Sequence, residues 1–179
     1  MNYCSQCGAK VAFKIPPGDT LPRFVCETCQ SIHYQNPRIV AGCIPEWEDR
    51  ILLCRRAIAP QYGLWTLPAG FMENGETIEQ AAIRETREEA EADVELTSLY
   101  SVFSIPHISQ VYIIYRACLV TSDFKAGLES LEVQLFRPDD IPWEHLAFRV
   151  MHETLQRYIE DLHNNSFRLH TGIILPVHP

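Results

Sequence analysis

The sequence has no run of apolar residues approaching the roughly 18 that are needed to span a bilayer. Its first ten residues, MNYCSQCGAK, also lack the apolar core of a signal peptide. No internal repeat or low-complexity tract interrupts the chain, and 46% hydrophobic with 21% charged residues is an ordinary globular composition. We therefore expect a cytoplasmic globular protein with no membrane partner.

Positive charge is also scarce. The chain has 15 Lys and Arg residues against 23 Asp and Glu residues, which gives a formal net charge of −8. Proteins that bind nucleic acids broadly usually present a basic face, so we expect no nucleic-acid partner. The same charge repels anionic substrates at long range, and any phosphate chemistry in this protein therefore needs a local cation.

Cysteine is plentiful, with seven residues, although disulfides are not expected in a chain without an export signal. Four of the cysteines form two C-x-x-C pairs, which are Cys4 with Cys7 and Cys26 with Cys29. Each pair brings two sulfurs to one ion, and four thiolates complete a tetrahedron with no open position, as in a structural zinc site. A redox pair and an iron centre of rubredoxin type use the same residues and remain alternatives.

Both pairs lie within the first 35 residues, which are too few to hold a hydrophobic core alone. A bound metal is therefore expected to supply the folding free energy of this segment. The other cysteines lie inside apolar runs and are expected to be small buried hydrophobic residues. They are Cys43, Cys54 and Cys118.

The composition changes at Asn36-Pro37, after which strand-like and helix-like segments alternate. The predicted strands are RIVAGCI, RILLCRRAI, VELTSLYSVFSI, QVYIIYRACLV, LEVQLF and FRLHTGIIL. Helices are predicted from about Thr77 to Glu91 and over residues 143–165. This irregular alternation favours an α/β fold over residues 36–179, with a mixed sheet and helices on both faces, preceded by a small zinc ribbon over residues 1–35.

The segment RETREEAEA, residues 84–92, places four glutamates on the first predicted helix. At about 100° per residue, Glu85 and Glu89 fall within the inward stripe of small apolar residues, and Glu88 lies at its edge. Carboxylates grouped on an inward face have raised pKa values unless a cation compensates them, and magnesium takes oxygen ligands of this kind. A solvated charged face is the alternative, but the spacing favours a divalent metal site.

The residues upstream extend this pattern. Gly70, Glu76 and the segment RETREEAEA resemble the Nudix box, G-x5-E-x7-R-E-U-x-E-E-x-G-U, in which U is aliphatic. The sequence departs from the box at Thr86, where an aliphatic residue is usual, at Glu91, where the family has glycine, and at Ala92, a small final aliphatic residue. Since that glycine normally supplies a left-handed helix stop, the change to Glu91 puts the end of the helix in question.

The resemblance covers nearly the whole chain, through the zinc ribbon, YQNPRIVAGC, LWTLPAG and GLESLEVQLF. The chain is most similar to the FAD and ADP-ribose pyrophosphatases of the ribbon-bearing Nudix branch. The SQPWPFPxS signature of NADH pyrophosphatases is missing, and this region reads SVFSIPHISQVYIIYR. The resemblance implies an α/β/α sandwich, a homodimer, and metal-dependent hydrolysis of a nucleoside diphosphate derivative such as FAD or ADP-ribose. Alternatives are an NADH or coenzyme A pyrophosphatase and a nucleotide-sensing module without turnover.

The family mechanism implies roles for particular residues. Mg²⁺ or Mn²⁺ would be held, and catalysis performed, by Glu85, Glu88 and Glu89, with the Gly70 carbonyl as a further metal ligand. Glu76 and Arg84 are expected to be structural, because an arginine pairs well with Glu88 one helical turn away.

The general base varies within the family and is expected outside the box. Its candidates are Glu129 and Glu132, which lie in LESLEVQLF, and the alternative is that they are ordinary loop acids before a strand. Arg55 and Arg56 follow an apolar strand, and either one is a candidate contact for the diphosphate, with a surface pair as the alternative. Candidate stacking surfaces for adenine or flavin are Tyr62, Trp65, Phe103, His107 and Tyr112, although aromatic residues also fill cores.

Overall fold

A computed structural model describes residues 1–176 of the chain. Contacts within the chain define two compact units, Met1–Pro37 and a second unit that begins at Arg38. Over residues 1–176, no helix is both long enough and apolar enough to cross a membrane.

The first unit is a three-stranded antiparallel sheet. Its strands are β1 (Val11–Lys14), β2 (Arg23–Cys26) and β3 (Ile32–His33), with β2 in the centre. Phe13 and Phe24 are paired across β1 and β2, and their ring centroids lie 4.9 Å apart. The buried hydrophobic side chains of this unit are Cys4, Val25 and Cys26, two of which are thiols of the C-x-x-C pairs. So small a core agrees with the expectation that a metal is needed to fold the unit.

The second unit is built on one mixed sheet. Its strands are β4 (Arg38–Trp47), β5 (Arg50–Arg56), β6 (Trp65–Thr66), β7 (Ala69–Phe71), β8 (Val94–Ile105), β9 (Gln110–Leu119), β10 (Ser130–Phe136) and β11 (His170–Ile173). The strand order is β10-β5-β4-β9-β8-β11, while β6 pairs with β5 and β7 pairs with β4. The β4–β9 and β8–β11 pairs are parallel, and the remaining pairs are antiparallel.

Two helices cover opposite faces of this sheet. They are α1 (Ile78–Ala90) and α2 (Arg149–Asn164). Side chains of a strand alternate between faces, and β4 shows this clearly: Ala41 and Cys43 belong to the cluster that contains the buried alanines of α1. Val40 and Ile44 belong to the cluster that contains the buried residues of α2. The α/β/α sandwich with a mixed sheet is therefore confirmed.

The second helix begins later than predicted. A short 3₁₀ helix spans Trp143–His145, and α2 starts only at Arg149. Between them the chain is extended, because the amide of Ala147 donates a hydrogen bond of 2.7 Å to the carbonyl of Trp65 in β6, beside a bridge between Trp65 and Leu146. Pairing with the sheet therefore outweighs the helical periodicity of this segment.

Two further expectations need correction. The last strand is shorter than FRLHTGIIL, because only four residues of β11 pair with β8. Of the three unpaired cysteines, Cys43 and Cys54 are fully buried as expected, but Cys118 is exposed. In β9, the side chain of Cys118 points away from the core that the neighbouring residues Ala117 and Leu119 fill.

Candidate active site

The four paired cysteines of the first unit converge on one point. Their sulfurs lie within 4.8 Å of one another, and the Cys4–Cys29 and Cys7–Cys26 sulfurs are 3.6 Å and 3.5 Å apart. Four thiolates bound at about 2.3 Å around one tetrahedral zinc ion would lie about 3.8 Å apart. His33 Nε2 lies 3.3 Å from the Cys4 sulfur and is placed to donate a hydrogen bond to it. This arrangement fits a closed, structural zinc site.

Helix α1 carries the glutamates Glu85, Glu88 and Glu89, and its first turn is closed by a capping box. The hydroxyl of Thr77 accepts a hydrogen bond from the amide of Gln80, and the Gln80 side chain accepts one from the amide of Thr77. The helix ends at Glu91, which adopts the left-handed conformation with φ 44° and ψ 34°. The left-handed exit is therefore retained without glycine, at the cost of some backbone strain.

The other two departures from the box are accommodated by the core. Thr86 is fully buried, and its hydroxyl donates a hydrogen bond of 2.9 Å to the carbonyl of Ala82. The thiol of Cys43 lies 2.8 Å from the same hydroxyl. Ala92 is also buried, at 1% exposure, in the cluster beneath α1. A hydroxyl is thus tolerated at an aliphatic position because both of its neighbours are hydrogen-bonding partners.

A cavity of about 1070 Å³ opens beside α1. One set of lining residues, here called the acidic wall, consists of Gly70, Glu85, Glu88, Glu89 and Glu129. A second set, the apolar wall, consists of Ile105, Phe148, Val150, Met151 and Ile174. A cavity that combines apolar surface with a small group of converging polar residues is the usual form of a small-molecule site.

Glu89 is the most deeply buried carboxylate of the acidic wall, at 7% exposure. Its pKa is raised to about 8, first by burial and then by the charge of Glu85, while the positive charge of Arg56 opposes the shift. Burial likewise raises the pKa of Glu85, against its hydrogen bond from Arg84. Glu89 Oε2 is buried and has no hydrogen-bond partner among the described residues. A buried, unpaired carboxylate oxygen is costly, and a bound cation would compensate it.

Gly70 leaves space for these carboxylates. A Cβ atom built on Gly70 would lie 2.3 Å from Glu85 Oε2 and 2.4 Å from Glu85 Oε1, so any larger residue would displace the Glu85 carboxylate. The backbone of Gly70 therefore lies directly against a carboxylate of the acidic wall. This close approach is the physical reason for glycine at that position.

Arg84 organises the rim of the acidic wall. Its guanidinium donates to both oxygens of Glu76, at 3.0 and 2.8 Å, and to Glu85 and Glu88, at 2.7 and 3.0 Å. A further hydrogen bond of 3.1 Å reaches the carbonyl of Phe71. The hydrogen bonds from Arg84 are the largest cause that lowers the pKa of Glu76, to about 2. Glu76 and Arg84 thus have the structural arrangement expected of them.

We expect the Arg84→Lys substitution to destabilise the protein. Lysine cannot form the bidentate pair with Glu76 and the bond to Glu85 together, which leaves largely buried carboxylates underpaired. The expected loss is about 1–2 kcal/mol, or a fall of about 2–8 °C in the melting temperature. The control is Arg87→Lys on the same helix, since Arg87 pairs with Asp93 on the exposed surface. Equal melting temperatures for the two variants would contradict this role of Arg84.

The two candidate bases lie in different surroundings. Glu129 belongs to the acidic wall, and its charge contributes to the raised pKa values of Glu85 and Glu89. Glu132 lies on β10 and pairs with Arg55 at 3.5 Å, on the exposed surface. Glu132 is not among the residues that line the cavity. The geometry therefore favours Glu129.

Of the two candidate arginines, likewise, one lines the cavity and the other does not. Arg56 lines the cavity, donates to the Pro60 carbonyl at 2.9 Å and lies over the ring of Phe148, 5.0 Å from its centroid. Arg55 instead donates to the carbonyl of Gly63 and to Glu132. Of this pair, only Arg56 is placed to contact a ligand in the cavity.

Most of the aromatic candidates lie outside the cavity. Tyr112 and His107 line the cavity, whereas Tyr62 and Trp65 do not. Phe103 lies in the hydrophobic core at 4% exposure, which removes it from the candidate ligand contacts. No sequence pattern singled out Phe148, which lines the cavity because α2 starts after this residue rather than before it.

The NUDIX domain family model matches residues 36–158, and a Nudix N-terminal zinc-ribbon model matches residues 2–35. The crystal structure of a NUDIX hydrolase from Nitrosomonas europaea superimposes on this chain with a TM-score of 0.95, and the two sequences are 58% identical. The match covers 98% of this chain and 100% of that chain. The chain belongs to the NUDIX family and is a Nudix hydrolase with an N-terminal zinc ribbon.

Two curated relatives have named substrates. A protein of Methanocaldococcus jannaschii, described as an ADP-ribose pyrophosphatase, is 33% identical over 64% of this chain and 69% of its own length. A protein of Salmonella heidelberg, described as the NAD-capped RNA hydrolase NudC, is 32% identical over 79% of this chain. The matched region spans 53% of the length of that second relative.

Proposed function

We propose that this protein hydrolyses the diphosphate bond of a nucleoside diphosphate derivative, with ADP-ribose and FAD as the leading substrates. The observation that carries this proposal is the buried, unpaired Glu89 oxygen in a cavity that also contains Glu85, Glu88 and Glu129. Such a group of carboxylates is suited to divalent cations, and it would otherwise repel the phosphates of a substrate.

The residues of the acidic wall fit a catalytic Mg²⁺ or Mn²⁺. We assign its ligands to Glu85, Glu88 and Glu89 and to the Gly70 carbonyl, since hard cations prefer oxygen donors. A cation bound there would lower the pKa of a coordinated water and neutralise charge on the phosphate oxygens. Arg84 limits the repulsion among these carboxylates, because it donates to both Glu85 and Glu88.

The remaining steps are assigned to residues around the cavity. Glu129 accepts the proton of the attacking water, whose oxygen forms a bond to one phosphorus atom as the bridging P–O bond breaks. The bridging oxygen leaves with the second phosphate. Arg56 holds the diphosphate by charge, and its contact with Phe148 keeps its side chain in the cavity.

The substrate choice rests on two further observations. The apolar wall offers Phe148 and aliphatic side chains to a planar ring, which suits adenine or flavin. The relative described as an ADP-ribose pyrophosphatase supports ADP-ribose. ADP-ribose would yield AMP and ribose 5-phosphate, whereas FAD would yield AMP and FMN.

A parallel assay tests the substrate class. We would compare kcat/KM for ADP-ribose, FAD, NADH, coenzyme A and an NAD-capped RNA, each with Mg²⁺ and with Mn²⁺, because selectivity lies in transition-state binding. ADP-ribose or FAD is expected to exceed the others by about tenfold or more. A higher value for NAD-capped RNA would place the activity with that of the NudC relatives, whereas binding without turnover of any substrate would support a nucleotide-sensing module.

We further propose that residues 1–35 form a structural zinc ribbon and that residues 36–179 form the hydrolase domain. Metal analysis of the purified protein is expected to give about one zinc per chain, bound by the four paired cysteines. Cys26→Ser should lower both the zinc content and the melting temperature, whereas Cys118→Ser, at an exposed position, should leave both unchanged. Zinc at full occupancy in the Cys26→Ser variant would contradict the assignment, and iron in place of zinc would indicate the rubredoxin-type alternative.

The family resemblance also leads us to propose a homodimer. Light scattering during gel filtration would give the molar mass directly, with about twice 20.5 kDa expected. A mass of one chain at micromolar concentration would reject the dimer.

A further inference from the structure

The segment from Lys125 to Glu129, here called the strap, is bound to the end of α1 through its backbone. The amide of Lys125 donates to the carbonyl of Ala90 at 2.9 Å, and the amide of Gly127 donates to the carbonyl of Glu89 at 3.1 Å. Carbonyls in the last turn of a helix have no partner within the helix. The strap therefore supplies partners to the same turn that carries Glu88 and Glu89.

The approach is closest at Gly127. A Cβ atom built on Gly127 would lie 1.8 Å from the carbonyl oxygen of Glu88 and 2.9 Å from its carbonyl carbon. These are backbone atoms of a regular helix, so they cannot move aside as the end of a side chain would. The strap can reach the helix at this point only because residue 127 has no side chain.

The same contact determines where Glu129 lies. The amide of Ser130 donates to the carbonyl of Gly127 at 3.1 Å, which makes residues 127–130 a tight turn. On the other side, the carbonyl of Glu129 accepts a hydrogen bond of 2.8 Å from the amide of Ala57. Glu129 is thus held between the end of α1 and the end of β5, with its side chain in the acidic wall.

Glu91, the departure from the box at the helix exit, also touches the strap. Its carboxylate pairs with the ammonium group of Lys125 at 2.8 Å. Both side chains are largely exposed, so this ion pair contributes little to binding of the strap. The backbone bonds and the close approach at Gly127 carry the interaction.

We propose that Gly127 is a positioning residue, which lets the strap bind to the last turn of α1 and thereby places Glu129 against the metal-binding carboxylates. This inference rests on the proposed role of Glu129 as the general base. Gly127 itself has no side chain to contact the substrate and acts through Glu129.

Gly127→Ala tests the proposal by kinetics. The added methyl group would push the strap away from α1, and a displacement of about 1 Å at a reacting group costs about a hundredfold in rate. We expect kcat to fall by about that factor, with little change in KM and in the Mg²⁺ or Mn²⁺ affinity. The control is Gly172→Ala, where the new methyl group meets a side chain, Phe103, at 2.9 Å rather than a backbone carbonyl.

A double mutant separates positioning from a general structural defect. If Gly127 acts through Glu129, adding Gly127→Ala to Glu129→Gln should cause no further loss of kcat. A further hundredfold loss in the double mutant would overturn the proposal while leaving the base assignment intact. If Glu129→Gln alone keeps its kcat, the proposed base fails instead, so the two failures are distinguishable.

Hydrogen exchange provides a readout that does not depend on activity. In the wild-type protein, the amides of Lys125 and Gly127 should be protected about as well as those in the last turn of α1, to which they are bound. In Gly127→Ala, the exchange of Lys125 should become faster while the helix itself stays protected. Unprotected strap amides in the wild-type protein, or an unchanged exchange rate in a slow Gly127→Ala variant, would overturn the proposal. The wild-type measurement applies even if the variant does not fold.

Discussion

Glu89→Gln should abolish turnover while the protein remains folded. The amide keeps the size of the side chain but ligates a hard cation poorly, so metal binding and charge neutralisation are both lost. We expect kcat/KM to fall by about 10³-fold or more, measured at saturating Mg²⁺ or Mn²⁺. Without metal, the variant should be at least as stable as the wild type, because it removes a carboxylate that is buried with an unpaired oxygen.

The metal response of the melting temperature provides the decisive comparison. Mg²⁺ or Mn²⁺ should raise the melting temperature of the wild-type protein and should have little effect on Glu89→Gln, since a ligand stabilises only the state that binds it. Glu95→Gln, at an exposed position on β8, is the matched control and should respond as the wild type does. A Glu89→Gln variant that keeps both its turnover and its metal response would show that the site lies elsewhere.

The grouping of the proposed metal-binding carboxylates could be predicted because the information is local. Glu85 and Glu89 interrupt an apolar stripe of one helix, and helical periodicity alone brings them to the inward face. The buried positions of both residues agree with that pattern. The same holds for the cysteine pairs, whose spacing fixes which sulfurs can meet.

The rest of the cavity depends on contacts between distant parts of the chain. Phe148 falls within the helix that the sequence predicts over residues 143–165. It lines the cavity instead because Ala147 pairs with Trp65, more than 80 positions away in the sequence. Phe103 and Tyr112 face each other in the β8–β9 register, yet only Tyr112 reaches the cavity. The alternation of side chains along a strand cannot predict which of the two reaches the cavity, because the burial of a side chain depends on the helix and strand packed above it.

The end of α1 at Glu91 shows a different limit of prediction from the sequence. The sequence pattern indicated that the helix exit was in question, since the usual glycine is missing. The structure keeps the left-handed conformation, and amides of the strap donate hydrogen bonds to the backbone carbonyls that the helix end exposes. A tertiary contact of this kind leaves no local signal in the sequence.

Glu129→Gln should reduce kcat by about 10²- to 10⁴-fold, the usual contribution of a general base. Metal affinity should change little, because the proposed ligands Glu85, Glu88 and Glu89 are left in place and Glu85 and Glu88 keep their hydrogen bonds from Arg84. KM should also change little, which separates this variant from Arg56→Ala, for which weaker substrate binding is expected.

Glu132→Gln tests the rival candidate. Because Glu132 pairs with Arg55 outside the cavity, this substitution should lower kcat by less than about threefold. The opposite ranking, with Glu132→Gln slow and Glu129→Gln near the wild-type rate, would transfer the role of base to Glu132. It would also require the β10 end of the sheet to move toward the acidic wall when substrate binds.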